Sequence, residues 1–301
     1  MVIQITRAVD RVVVFDAPAY RRLVGRRHTA KATELFDALG RDERETGIQP
    51  IGYSTVLLEL LAPLADPEAD GYENAKAAAV AAVRHCRIPT KGGGEDVAVW
   101  ASSGLQLCLS LFHRWPDELL EIDDRVRSLV ERLAEEPSEA MLDTFRDDFG
   151  VVAERLEAWR DSFAASLKEH METPLSIETV AEAHVQRAAS HVSDDVSEAE
   201  LRRMVDWFAR KFEVAVAMYR QIVEDTREEG GTITSERAAE LLWNLQVAFL
   251  IGETHKLDGK PAVVVSGDDD IVKAAKASGL GAKVISVLRY DDYRAAVREL
   301  D

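Results

Sequence analysis

Arg11-Val-Val-Val-Phe15-Asp16 near the start of the chain and Ala262-Val-Val-Val-Ser266-Gly-Asp-Asp-Asp270 near its end decide the fold. Each is a compact β-branched run that closes on acid. An apolar run of this kind, followed by a helical pattern, predicts a parallel strand covered on both faces. After Asp16, apolar residues recur at helical spacing from Pro18 to Leu39 (Tyr20, Leu23, Val24, then Leu35, Phe36 and Leu39), and Gly25 marks a break. Residues 48–53 predict a second short strand. Ser54 is placed to cap a helix over 55–65, with an apolar face of Val56, Leu57, Leu60, Leu61 and Leu64. Toward the other end, Ser235 is placed to cap a helix running to about Ile251. Residues 262–266 and 283–287 predict strands, and 270–278 and 290–300 predict helices.

Between these ends the character changes. From Tyr72 to Glu229 nothing resembles a strand, and helical periodicity repeats between breaks at 89–94, Pro116, Pro137, Pro174 and 193–197. Helices are expected over 73–87, 101–114, 118–135, 139–169, 177–191 and 198–228. No fixed-period repeat is present, which argues against a solenoid. The economical account is one α/β domain made from both chain ends, residues 1–66 and 233–301, with an all-helical domain, 67–232, inserted between them.

The 301 residues suffice for a substantial core, and 47% hydrophobic with 30% charged residues is a globular composition. The N-terminal stretch alternates charged and apolar residues and lacks the apolar core of a secretory signal. No apolar run approaches the ~18 residues that span a membrane. Cys86 and Cys108 form no spaced pair and read as buried, reduced thiols. A cytoplasmic location is therefore expected, with no membrane partner. Thirty-seven basic residues against 54 acidic ones give a net charge of −17. Such a field repels nucleic acid at long range, so a nucleic-acid partner requires a local basic patch.

The chemistry is carried by acids. Strands that end in Asp16 and Asp268 present carboxylates where open parallel sheets form their ligand crevice. Glu59 lies one turn into the helix that follows the second strand, close enough to its apolar stripe to face the same edge. Carboxylates converging at one edge repel unless a cation neutralises them, and all-oxygen ligation suits Mg²⁺ or Mn²⁺. An Asp after a strand is also a common helix cap, and Asp268 to Asp270 read equally as the cap of the helix after them.

Taken in order, these segments resemble a family. Phe15-Asp16-Ala-Pro-Ala-Tyr20 is similar to the first motif of PIN-like nuclease domains, in which an acid closes the first strand. Ser54-Thr-Val56-Leu-Leu-Glu59-Leu60 resembles the second, and Val264-Val-Ser266-Gly-Asp268-Asp-Asp270-Ile271 the late strand motif. The resemblance covers residues 10–66 and 234–301. It implies a PIN-like parallel-sheet sandwich split by the helical insertion. It also implies a metal-dependent endoribonuclease, of the kind found among toxins and defence effectors. The implied Mg²⁺ or Mn²⁺ site consists of Asp16, Glu59, Asp268 and Asp270, with cleavage leaving a 5′-phosphate and a 3′-hydroxyl. Many members carry a further Asp on the helix before the late strand. Here the best match is Asn244, which ligates through its carbonyl and supplies no charge, with Glu240 one turn away. The departure keeps open an alternative, a catalytically weak or inactive PIN-like scaffold that binds RNA or a protein.

Arg21, Arg22, Arg26, Arg27, His28 and Lys31 supply the required basic patch, with no acid between Asp16 and Glu34. They are candidates for gripping RNA phosphates, or for a solvated helix face paired with the acid-rich insertion. The insertion is the expected surface for a protein partner or a second copy of the chain. Other motifs are set aside. Lys91-Gly-Gly-Gly94 has the wrong order for a phosphate loop, and Asp268 to Asp270 lacks the Gly and distal Glu of an EF-hand. His85, Cys86, Cys108 and His113 read as core rather than zinc ligands, as do Trp159, Trp207 and Trp243.

Overall fold

A computed structural model of the chain describes residues 9–90, 94–135, 137–171, 175–192, 196–252, 256–257, 259–286, 293 and 295. β1 (Arg11–Phe15) leads into α1 (Ala17–Val24) and α2 (Thr29–Glu45). Gly25 parts the two helices with a φ of 58°, a conformation that residues with a side chain rarely adopt. β2 (Ile48–Pro50), β3 (Gly52–Tyr53), α3 (Ser54–Leu61) and a 3₁₀ turn (Ala62–Ala65) follow, then α4 (Tyr72–His85). Three short strands come next: β4 (Arg87–Pro89), β5 (Glu95–Val97) and β6 (Val99–Trp100). A helical run is then built of α5 (Ser103–Phe112), α6 (Asp117–Glu135), α7 (Glu139–Thr144), α8 (Arg146–His170) and α9 (Ile177–Val192). It continues through α10 (Glu198–Lys211), α11 (Glu213–Glu228) and α12 (Ser235–Ala248). β7 (Lys256–Leu257), β8 (Lys260–Ser266), α13 (Asp269–Ala277), a 3₁₀ turn (Gly281–Lys283) and β9 (Val284–Ser286) close the described chain.

The two decisive segments lie side by side. β1 pairs in parallel with β2 on one side and β8 on the other, with Val12 opposite Ala262 and Phe15 opposite Val265. β9 continues the parallel sheet beyond β8, while β7 is its antiparallel neighbour. Val12 to Phe15 and Val264 to Val265 are essentially inaccessible on both faces, which is why these strands are unbroken apolar runs without alternation. The chain is thus mixed α/β with a parallel sheet fed by both ends. No helix among the described residues is long and apolar enough to cross a membrane.

The middle of the chain departs from expectation in three ways. First, it is not all helix. β4 and β5 form a hairpin, and β6 pairs in parallel with β3, which leaves the main sheet after Ile51. Strands of two or three residues are too short to show any periodicity. Second, α4 is packed into the α/β layer against α1 and α2, and the hydrophobic core runs continuously from the chain ends into the helices. Ala77 to Val83 are buried all round, and their small side chains admit the close approach of α2. Third, the helices expected over 139–169 and 198–228 each break in two, at Phe145 and Phe212. No Pro or Gly marks either place. The break at Phe212 seats its ring against those of Trp207, Phe208 and Phe249, with centroids 5.7, 5.0 and 5.3 Å away. Residues 91–93 and most of the expected closing helix lie outside the described residues, save Tyr293 and Ala295, which are helical.

A polar chain is sealed inside the α/β layer. His85 at the end of α4 places Nε2 2.6 Å from Glu43 Oε2 and Nδ1 3.0 Å from the Tyr20 hydroxyl. Glu43 receives the Tyr293 hydroxyl at its other oxygen. With Tyr20 donating to Nδ1 and Nε2–H donating to Glu43, every hydrogen bond in the chain is matched. The His85 ring also meets Phe15 edge-on at 4.6 Å. Removing one member strands a buried charge or dipole. His85→Ala should cost about 3–5 kcal/mol in urea unfolding, whereas a loss below about 1 kcal/mol would show the network to be dispensable.

Candidate functional site

Asp16 stands at the carboxyl end of β1, and its own N–H completes the ladder by donating to Val265 O at 3.0 Å. The side chain turns back as the cap of α1. Oδ1 accepts the Ala19 N–H at 2.6 Å and the Gly267 N–H at 3.0 Å, and Oδ2 accepts the Ser266 hydroxyl. The carboxylate is 1% exposed. Burial pushes its pKa up to about 7 against these three donors, and the nearby Glu59 charge adds to the rise.

Gly267 makes the arrangement possible. A Cβ there would lie 2.6 Å from both Ala19 N and Pro18 C, so only glycine lets β8 reach the start of α1. Ser266 Oγ, while donating to Asp16, accepts the Asp268 N–H at 2.9 Å. Asp268 in turn caps α13, accepting the Asp270 N–H at 2.7 Å. Asp16 and Asp268 are therefore both helix caps, brought together at one sheet edge.

Glu59 is buried on α3 and accepts from Arg21 Nη1 at 2.7 Å. Burial raises its pKa and Arg21 partly offsets the rise. α3 starts one residue earlier than expected, with Tyr53 at the cap position. The Ser54 hydroxyl instead donates to the buried Asp123 on α6 at 2.7 Å. Asp270 faces the first turn of α12, with Arg237 at 3.6 Å and its own Lys273 at 3.4 Å. Thr234, not Ser235, caps α12. Asn244 is 2% exposed, and its Nδ2 has no hydrogen-bond partner among the described residues. Among the described residues, no three His, Cys, Asp or Glu side chains gather with metal-holding geometry.

The basic patch is largely engaged. Arg21 serves Glu59, Arg27 folds back onto the carbonyls of Leu23 and Val24, and Lys31 pairs with Glu34 at 2.7 Å. Arg22 and Arg26 are exposed, with no ion pair among the described residues. Glu43, His85 and Tyr293 were not singled out as acting together. They lie on three segments far apart in sequence, and nothing in their spacing links them.

In comparisons with known proteins, no family model, curated protein or solved structure matches the chain.

Two outcomes follow from this geometry. Gly267→Ala should destabilise by about 2 kcal/mol or more, because backbone rather than a movable side chain blocks the new methyl. Full stability in that variant would show that β8 and α1 do not meet so closely. The second outcome is pH dependence. Asp16 titrates near 3.8 unfolded and near 7 folded, so the fold retains a proton that the unfolded chain releases as pH rises through this window. Stability from this group is full below the lower value and lost above the upper one. In chelator, Asp16→Asn should melt several degrees above wild type at pH 8, with the gap closing toward pH 5. A gap independent of pH would remove burial of the charge as its cause.

Proposed function

We propose that the carboxyl edge of the sheet is a divalent-cation site for hydrolysis of phosphodiester bonds, with RNA as the substrate class. The observation that carries this reading is the burial of two neighbouring carboxylates, Asp16 and Glu59, at the ligand-binding edge of a parallel sheet. Both have raised pKa values, and one raises the other. The donor set fits the ion. A magnesium site commonly takes one or two protein carboxylates and completes its shell with waters and substrate phosphates. Asp16 and Glu59 would hold the cation, with Asp268 at the rim. When bound, the cation lowers the pKa of an attacking water and neutralises charge on the phosphate.

The remaining roles belong to the chain. Arg21 orients Glu59 through their 2.7 Å contact and offsets part of the cost of burying its charge. Arg22 and Arg26 supply the exposed guanidiniums that hold flanking phosphates against the repulsion of a chain with net charge −17. Asp270 is given no part, since Arg237 and Lys273 engage it.

A second reading has its own support. Asn244 stands where the resemblance implies an acid, and its buried Nδ2 has no hydrogen-bond partner among the described residues. A PIN-like scaffold that binds RNA or a protein without cutting it fits that residue. Mn²⁺-dependent cleavage of a mixed RNA pool separates the two readings. Asp16→Asn and Glu59→Gln should each lower the rate by about 100-fold or more. Arg22→Ala with Arg26→Ala should instead weaken binding and flatten its salt dependence. Cleavage that persists in Asp16→Asn overturns the catalytic assignment. RNA retention without cleavage by wild type favours the scaffold.

A further inference from the structure

The helical half of the molecule holds a cavity of about 220 Å³, away from the sheet edge and independent of the nuclease reading. It is partly open to solvent, with the exposed side chains of Ser162, Arg187 and His191 at its border, so a small ligand can enter it. It exceeds an engineered apolar cavity of roughly 150 Å³ that takes benzene. Leu107 of α5, Phe163 of α8, Val180 of α9 and Leu242, Leu245 and Phe249 of α12 form its apolar wall. These come from four helices, and Leu242, Leu245 and Phe249 lie on one side of α12 and its C-terminal cap.

The polar lining carries neutral and basic side chains. Arg187 and His184 of α9 face Ser166 and His170 of α8, and Arg187 Nη2 donates to the Ser166 hydroxyl. His170 Nδ1 lies 2.7 Å from the Tyr219 hydroxyl. Burial holds the His184 pKa down to about 3, so that ring is neutral and Arg187 is the permanent cation. No Asp or Glu lines the cavity among the described residues, although the chain carries 54 of them. In so acidic a protein, an apolar space bordered by an arginine and free of acids is selective for a negative ligand.

We propose that this cavity binds a small amphipathic carboxylate, with an apolar body of about eight to ten carbons against the α12 face and its carboxylate at Arg187. Linear acyl and aryl acids share this chemistry, and octanoate and phenylacetate are the probes for the two. Trp159 lines the cavity, so occupancy should change its fluorescence, with titration calorimetry as the second readout.

On the full chain, at least one probe should bind saturably with one site per chain. Octan-1-ol, of the same length without the charge, should bind about tenfold more weakly than octanoate, and Arg187→Gln should weaken the carboxylate by a similar factor. Ala183→Phe places a ring in the cavity and should abolish binding with the helical circular dichroism intact; Leu245→Phe is a second filling variant should the first fail to fold. Undiminished binding in a folded filling variant would place the ligand elsewhere. Equal binding of octan-1-ol and octanoate, with Arg187→Gln silent, would overturn the carboxylate assignment. No saturable binding of either probe up to about 10 mM would overturn the site.

Discussion

The carboxylate of Asp16 holds the two ends of the chain together. It receives the Ala19 N–H in the first turn of α1, the Gly267 N–H and the hydroxyl of Ser266, a residue 250 positions away. An ionised group with so little exposure carries a heavy desolvation cost, and three donors offset only part of it. The surroundings follow from that constraint. Residue 267 must lack a side chain, residue 266 must carry a hydroxyl, and α1 must begin directly after the strand. The cost left over shows as a raised proton affinity at Asp16.

Glu43 and His85 supply a second long-range tie. The path from Tyr20 through His85 and Glu43 to Tyr293 connects α1, α4, α2 and the C-terminal segment beneath the sheet. Phe15 packs against Tyr20, Phe36, His85 and Tyr293 at centroid distances of 5.2, 6.5, 4.6 and 4.9 Å, so β1 is gripped by the same group of rings. The chemistry of an acid and a histidine in contact is present, yet both are 0% exposed and no substrate reaches them. Their work is to orient helices.

Charge is distributed unevenly over this frame. Acids dominate the composition, and the sheet edge concentrates two of them out of water. The helical cavity excludes them. α12 borders both regions, since Leu242, Leu245 and Phe249 line the cavity while Asn244, by helical periodicity, lies on the opposite side. The helix before the late strand is therefore a shared wall between a polar edge and an apolar chamber, which accounts for Leu241 to Leu245 all being buried.

The sequence alone determined the parallel pairing of the chain ends and the helical character of most of the middle. β-branched runs closing on Asp16 and on Ser266-Gly267-Asp268 are legible because burial on both faces leaves an unbroken apolar signature. The break at Gly25 is legible because backbone conformation there demands glycine. Tertiary structure decided what those residues do. Whether Asp268 and Asp16 cap helices or face a crevice depends on donors from other segments, and both turn out to cap. Whether Arg21, Arg27 and Lys31 are free for phosphate depends on Glu59, on carbonyls of α1 and on Glu34. Ser54 was placed as a cap by its position and instead serves Asp123, 69 residues on. The strands β4 to β6, the place of α4 in the sheet layer, the buried path through Glu43 and His85 and the cavity all arise from contacts between distant segments. Periodicity reports which face of an element is apolar, but not which partner covers it.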